Sequence, residues 1–153
     1  MAHTLNALVS ALDTLLVAVN DGGTPTHTHY FDHVWVGKPD KIPMGDKLVA
    51  YIEIGYIPTF LYTMGCPTNT QKDVDIYISI MSKGHVEKSH TNLYYAVDAT
   101  INALLANDHI TNSCISSTLE EVVFGDVVET QHEPKTLVTG ARILLKCQLE
   151  GGT

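Results

Sequence analysis

The stretch that most constrains the fold is residues 73–107, where a strand-period pattern gives way to a helix-period one. In residues 73–82, Val74, Ile76, Ile78 and Ile80 alternate with Asp73, Asp75, Tyr77 and Ser79. Successive side chains on a strand point to opposite faces, so the pattern predicts a strand with one buried and one wet face. In residues 92–107, Leu93, Val97, Ile101 and Leu104 recur at helical spacing, with Leu105 widening the stripe. A strand buried on one face needs a covering layer, and an amphipathic helix supplies it.

The same two periods organise the rest of the chain. Leu5, Leu8, Leu12, Leu15 and Val19 form a helical stripe over residues 5–19, with Val9 and Leu16 beside it. Thr4 suits the N-cap, and Asn20-Asp21-Gly22-Gly23 reads as the stop. Residues 31–36 predict a short strand closed by Gly37. Residues 47–56 predict a second, with Leu48, Ala50, Ile52 and Ile54 opposite Lys47, Val49, Tyr51 and Glu53. Pro58 ends that strand or marks an edge, residues 60–64 continue as an edge strand, and residues 65–71 and 83–90 read as loops. After the central helix come a strand at 116–124, a turn near Gly125 and Asp126, a segment at 127–132 that pairs with a neighbour, and a turn at 133–135. In the last strand Ala141, Ile143, Leu145, Cys147 and Leu149 face inward, and Arg142, Leu144, Lys146 and Gln148 outward. Gly140 is placed for a bulge, and residues 150–153 read as a frayed tail. The expected class is α+β: a mixed, mostly antiparallel sheet with two amphipathic helices on one face, in a single domain spanning 1–153. The other face, with Tyr51, Glu53, Asp73, Asp75, Arg142 and Lys146, is expected to be polar.

Composition narrows function by exclusion. Hydrophobic residues make up 44% of the 153, enough for a real core. The net charge is -8, from 17 acids against 9 bases, and Arg142 is the lone arginine. Arginine is the preferred reader of phosphates and guanine edges, so a nucleic-acid grip is disfavoured. Cys66, Cys114 and Cys147 are widely spaced and odd in number, which suits neither a disulfide framework nor a zinc site and points to a reducing, cytosolic setting. The N-terminus lacks the basic region of a signal peptide, and the apolar run after it is too interrupted to span a membrane.

The densest group of ligand types is His27, His29 and His33, with Asp32 between them. Neutral imidazoles so spaced suit zinc or nickel, but a Gly/Thr/Pro loop is a poor source of the second shell such an ion needs, so solvated histidines are the plainer reading. Asp73 and Asp75 point the same way along one strand, as a carboxylate pair or as part of a wet face. No nucleophile elbow or glycine-rich phosphate loop is present, so no catalytic residue and no cofactor is assigned. Tyr94 and Tyr95 open the central helix. Helical geometry lets one of them face the core, which leaves the other for an interface.

The layout as a whole resembles the phage tail terminator or tail completion proteins. The positions carrying the resemblance are the helix of residues 5–19, the segment Val34-Trp35-Val36-Gly37-Lys38-Pro39 with Lys41-Ile42-Pro43, the strand at 73–82, the helix at 92–107 and the strand at 141–149. The resemblance implies a structural, non-enzymatic virion protein assembled in the host cytoplasm and located at the tail or neck. It implies a homo-oligomeric ring, commonly a hexamer, that caps the tail tube protein and joins it to the head-completion or connector protein. DNA would pass through the lumen without sequence-specific binding. A head-closure or connector protein of the neck is the nearest alternative, and a small metal-binding protein using His27, His29 and His33 another. For ring contacts the expected residues are Phe60, Tyr62, Tyr94, Tyr95, Val127 and Val128, with Asp73 and Asp75 facing the lumen.

Overall fold

The computed structural model describes residues 3–19, 31–40, 42, 46–63, 66–84, 86–129 and 136–151, with the backbone alone for 56–63, 66–72, 84, 86–90, 126–129, 136–137 and 151. In chain order the elements are α1 (Leu5–Val17), β1 (His33–Val36), β2 (Leu48–Thr63), β3 (Cys66–Gly84), α2 (Val86–Leu105), β4 (Ser116–Glu129) and β5 (Thr136–Gly151). The strands form one sheet in the order β1-β2-β3-β5-β4. β1 runs parallel to β2, and every other pairing is antiparallel. The expected α+β class, with a mixed and mostly antiparallel sheet, is what forms.

β3 is the centre of this sheet. Val74, Ile76, Ile78 and Ile80 are all fully buried, and they meet Ile54, Ile52 and Ala50 on β2 and Cys147, Leu145, Ile143 and Ala141 on β5. β-branched residues pack well on a pleated surface, and cross-strand apolar pairs are the unit of sheet stability. α1 lies against β1 and β2, α2 against β3 and β5. α1 contributes Leu8, Val9, Leu12 and Leu16 to the core, with Val19 just beyond it. Thr4 caps it as expected, its hydroxyl accepting the Ala7 N–H at 3.1 Å. α2 contributes Leu93, Ala96, Val97 and Leu104. Thr100 also lies on this face, and its buried hydroxyl is satisfied by the Ala96 carbonyl at 2.7 Å. Leu105, expected to widen the stripe, is 66% exposed, because it falls one position past the buried row at the helix end.

Several expected boundaries move: β2, β3, β4 and the start of α2 extend, while α1 ends at Val17, β1 begins at His33 and α2 ends at Leu105. Residues 66–71 are strand rather than loop: Cys66, Thr70, Gln71 and Lys72 pair with residues 60–63 of β2. Polar composition suggests a loop, but ladder hydrogen bonds from a neighbouring strand need no apolar side chains. α2 begins at Val86, six residues before the expected start. β4 passes straight through Gly125 and Asp126, since Gly125 pairs with Gly140. No register shift occurs at Gly140; the irregularity on this pair lies between Leu119 and Glu121. Pro58 does not end β2 but marks an edge: there, among the described residues, β2 pairs with β3 alone, and a register shift between Tyr56 and Thr59 spans the proline. Glu150 is tied down, its carbonyl accepting from His3 N at 2.8 Å and its N–H donating to His3 Nδ1 at 3.1 Å. Gly37, at φ +87, makes the turn out of β1 that a side chain would strain. The expected stop at 20–23 and the turn at 133–135 lie outside the described residues.

Replacing Ile78 by alanine at the centre of β3 is expected to cost about 2–5 kcal/mol. Thr4→Ala is expected to cost about 1 kcal/mol. Urea unfolding of both variants checks this, with a lower midpoint and an unchanged slope expected.

Candidate functional site

The face of β3 turned away from the helices carries Asp73, Asp75, Tyr77, Ser79, Met81 and Lys83. The register sets their neighbours. Tyr51, Ser79 and Arg142 form one row across β2, β3 and β5; Glu53, Tyr77 and Leu144 form the next; Asp75 and Lys146 share a third. Exposure rises along such a row. Tyr51 and Ser79 are 7% and 4% exposed, Arg142 is exposed, and Val123 beyond it on β4 is 52% exposed. Along this row the outer face is buried at β2 and β3 and wet toward β4, and Tyr51, expected on a polar face, is buried. Val49 on β2, at 2%, is buried with it.

Tyr77 is the pivot of this surface. A Cβ built at Gly55 would lie 2.1 Å from Tyr77 Cε2 and 2.4 Å from Cδ2, so the ring occupies the space that any other side chain on β2 would fill. Gly55 sits where β2 shifts register between Ile54 and Tyr56. The Arg142 guanidinium stands 5.1 Å from the centroid of the same ring, a cation–π contact. Asp73 and Asp75 are half-buried on this face, opposite Gln148 and Lys146. A lysine facing Asp75 makes a mixed-charge surface rather than an isolated carboxylate pair.

Both expected tyrosines leave the core. Tyr94 is 51% exposed and Tyr95 62%. The buried row of α2 runs through Leu93, Ala96, Val97, Thr100 and Leu104, and positions 94 and 95 fall to either side of it. Assigning one of the pair to the core is therefore wrong: Leu93 holds that place. Tyr94 meets Phe124 of β4 edge to face at 5.5 Å between centroids. Phe124, 50% exposed, lies on the helix side of β4, and Val123 lies on the other side. The rim of the sheet is thus apolar on both faces.

The two ends of the sheet are open among the described residues. β4 pairs with β5 alone, and β2 beyond Ile52 pairs with β3 alone. Phe60 and Tyr62 belong to that part of β2, their backbones opposite Lys72 and Thr70. Val127 and Val128 pair with Val138 and Leu137 of the same chain.

Of the histidine group, His27 and His29 lie outside the described residues. His33 on β1 contacts the Asp46 carboxylate through Nδ1 and stacks on Trp35, with ring centroids 5.3 Å apart. Asp32 accepts from the backbone of Lys47 at 2.7 Å and Leu48 at 3.1 Å, so it anchors the start of β2. Among the described residues no three histidine, cysteine or acidic side chains are grouped to hold a metal. Among them, too, no helix is long and apolar enough to cross a membrane. Two features escaped the sequence reading: the burial of Tyr51, and the burial of Cys114 and Cys147 in one core cluster, which no spacing rule signals.

No family model and no curated protein matches the chain. Among solved structures it is similar to a chain of the virion of a native gene transfer agent particle, at 12% identity and a TM-score of 0.43, covering 97% of this chain and 96% of that one. At that score the likeness concerns general layout and carries no statement of function.

Gly55→Ala is expected to displace Tyr77 and cost about 1–3 kcal/mol. The penalty should shrink markedly when Tyr77→Ala is added. A double-mutant cycle by chemical denaturation measures that coupling.

Proposed function

We propose that this chain is a structural virion protein of the tail-terminator type, which assembles into a homo-oligomeric ring and has no turnover of its own. The observation that carries the reading is the sheet whose two ends are open among the described residues, β4 on one side and the outer half of β2 on the other. Open strand edges invite pairing and are covered in stable assemblies. Two different complementary edges on one subunit give head-to-tail contacts, which close into a ring when the rotation per subunit allows. Phe124 and Val123, with Tyr94 edge-on against Phe124, supply the apolar anchors beside β4 that such a contact uses, and Tyr95 adds an exposed ring on α2. The resemblance in layout to tail terminators supports the same reading and suggests six subunits.

In this reading the polar side of the sheet, with Asp73 and Asp75, faces the lumen. A net charge of -8 keeps DNA from adhering as it passes. The tail tube protein and the head-completion protein would bind the two ends of the ring. Phe60, Tyr62, Val127 and Val128 remain assigned to contacts between subunits.

Light scattering coupled to size exclusion, with negative-stain images of the same fraction, tests this. A ring with a central hole is expected. Tyr95→Asp combined with Val123→Asp is expected to weaken assembly about tenfold or more without lowering the melting temperature of the subunit. A monomer that stays monomeric when purified tail tube is added would overturn the reading. Capture by a portal or connector protein instead of tail tube would move the chain to the head-closure position.

A further inference from the structure

Residues 106–115, between α2 and β4, fold into a compact turn with unusual backbone. Ile110, Thr111 and Asn112 have φ of 44, 54 and 59, three successive left-handed residues with no glycine. That conformation is unfavourable for L residues and more so for β-branched ones, so the surroundings must impose it. Asn107 accepts from Thr111 N at 3.0 Å and donates to its hydroxyl at 3.3 Å. The Ser117 hydroxyl donates to the Asp108 carbonyl at 2.8 Å, and Ile110 is wholly buried.

The turn delivers Cys114 to Cys147. Ile115 N donates to the Gln148 carbonyl at 2.7 Å, and Ser117 pairs with Cys147 in the β4–β5 ladder, which brings Cys114 beside the inward side of β5. Both cysteines are buried in one core cluster, at 2% and 1% exposure, and Cys114 Sγ donates to the Asp108 carbonyl at 3.9 Å.

We propose that Cys114 and Cys147 form a redox-responsive dithiol that closes to an intramolecular disulfide on reaction with a small-molecule disulfide, tying the turn after α2 to β5. The Cys114 thiolate attacks one sulfur of the reagent, giving a mixed disulfide at Cys114 and releasing one thiolate, which takes up a proton. Cys147 then loses its proton and attacks the Cys114 sulfur, and the second reagent thiol departs. The protein gives up two electrons and two protons, and the reagent gains both.

The pair is polarised for these roles. The Cys147 thiol holds Cys114 below the ordinary thiol range, against the opposing effects of burial and the Asp108 charge. Cys114, together with burial, pushes Cys147 far above that range. The thiolate is the nucleophile in exchange, so Cys114 attacks first and Cys147 resolves. Reagent reaches the pair when the turn opens; its outer residues Asp108, His109, Thr111 and Asn112 are exposed.

The full chain, reduced and then exchanged into oxidised glutathione at mildly alkaline pH, tests this. Alkylation after denaturation and intact mass count the thiols, and non-reducing peptide mapping locates the link. Of the three cysteines, two should be lost to a 114–147 cross-link. The melting temperature should rise by about 5 °C or more, reversibly with dithiothreitol. Cys66→Ala should leave the cross-link unchanged. Cys147→Ala should retain a glutathione adduct at Cys114, whereas Cys114→Ala should carry none at Cys147. Three free thiols after oxidation, or a link through Cys66, would overturn the proposal. If a core variant fails to fold, the map of wild type and Cys66→Ala still decides.

Discussion

Everything in this structure hangs on β3 being paired on both sides over most of its length. Its inward residues Val74, Ile76, Ile78 and Ile80 are shielded completely; each is opposed by an apolar residue of β5, and the last three by one of β2 as well. A strand in that position fixes the register of both neighbours, because a slip of one residue would turn every buried side chain to water. Once β2 and β5 are placed, the helices have one possible seat, the apolar face that three strands present together. α1 takes the β1–β2 side and α2 the β3–β5 side.

The outer face follows from the same pairing. Register, not chain proximity, sets Arg142 over the ring of Tyr77 and Lys146 opposite Asp75, with some seventy residues between the partners. The ring of Tyr77 in turn dictates glycine at position 55. The face is thus an arranged surface, dry at Val49 and Tyr51 of β2 and wet at Arg142 and Val123. Its polar part holds both signs of charge, with Lys146 opposite Asp75.

The open ends and the turn at 106–115 are where the fold departs from what stability alone asks. Long unpaired edges are a hazard for an isolated domain, and β4 shows partial protection, with Glu120 and Glu121 at its irregularity. Beyond that point Val123 and Phe124 are exposed, so the protection stops where the aromatic contact with Tyr94 begins. In the turn, strained backbone is accepted where it carries Ile110 and Cys114 into the core.

By itself the sequence determined the alternation of residues 73–82, the helical stripe from Leu8 to Leu16, the cap at Thr4 and the inward set from Ala141 to Leu149. These are local periods tied to one buried face, and one period of a chain is enough to read them. The α+β class with both helices on one side follows from the same periods. Tertiary structure alone decided that residues 66–71 are strand, that β4 runs through Gly125 and that Tyr94 and Tyr95 both lie outside the core. Those outcomes depend on what a neighbouring strand or helix offers: a ladder partner for polar residues, a glycine opposite a glycine, and Leu93 in the seat a tyrosine would need. The burial of Cys114 and Cys147 in one cluster, and the meeting of Gly55 with Tyr77, were likewise invisible in one dimension, because a contact between distant residues is set by strand register, which a local pattern does not contain.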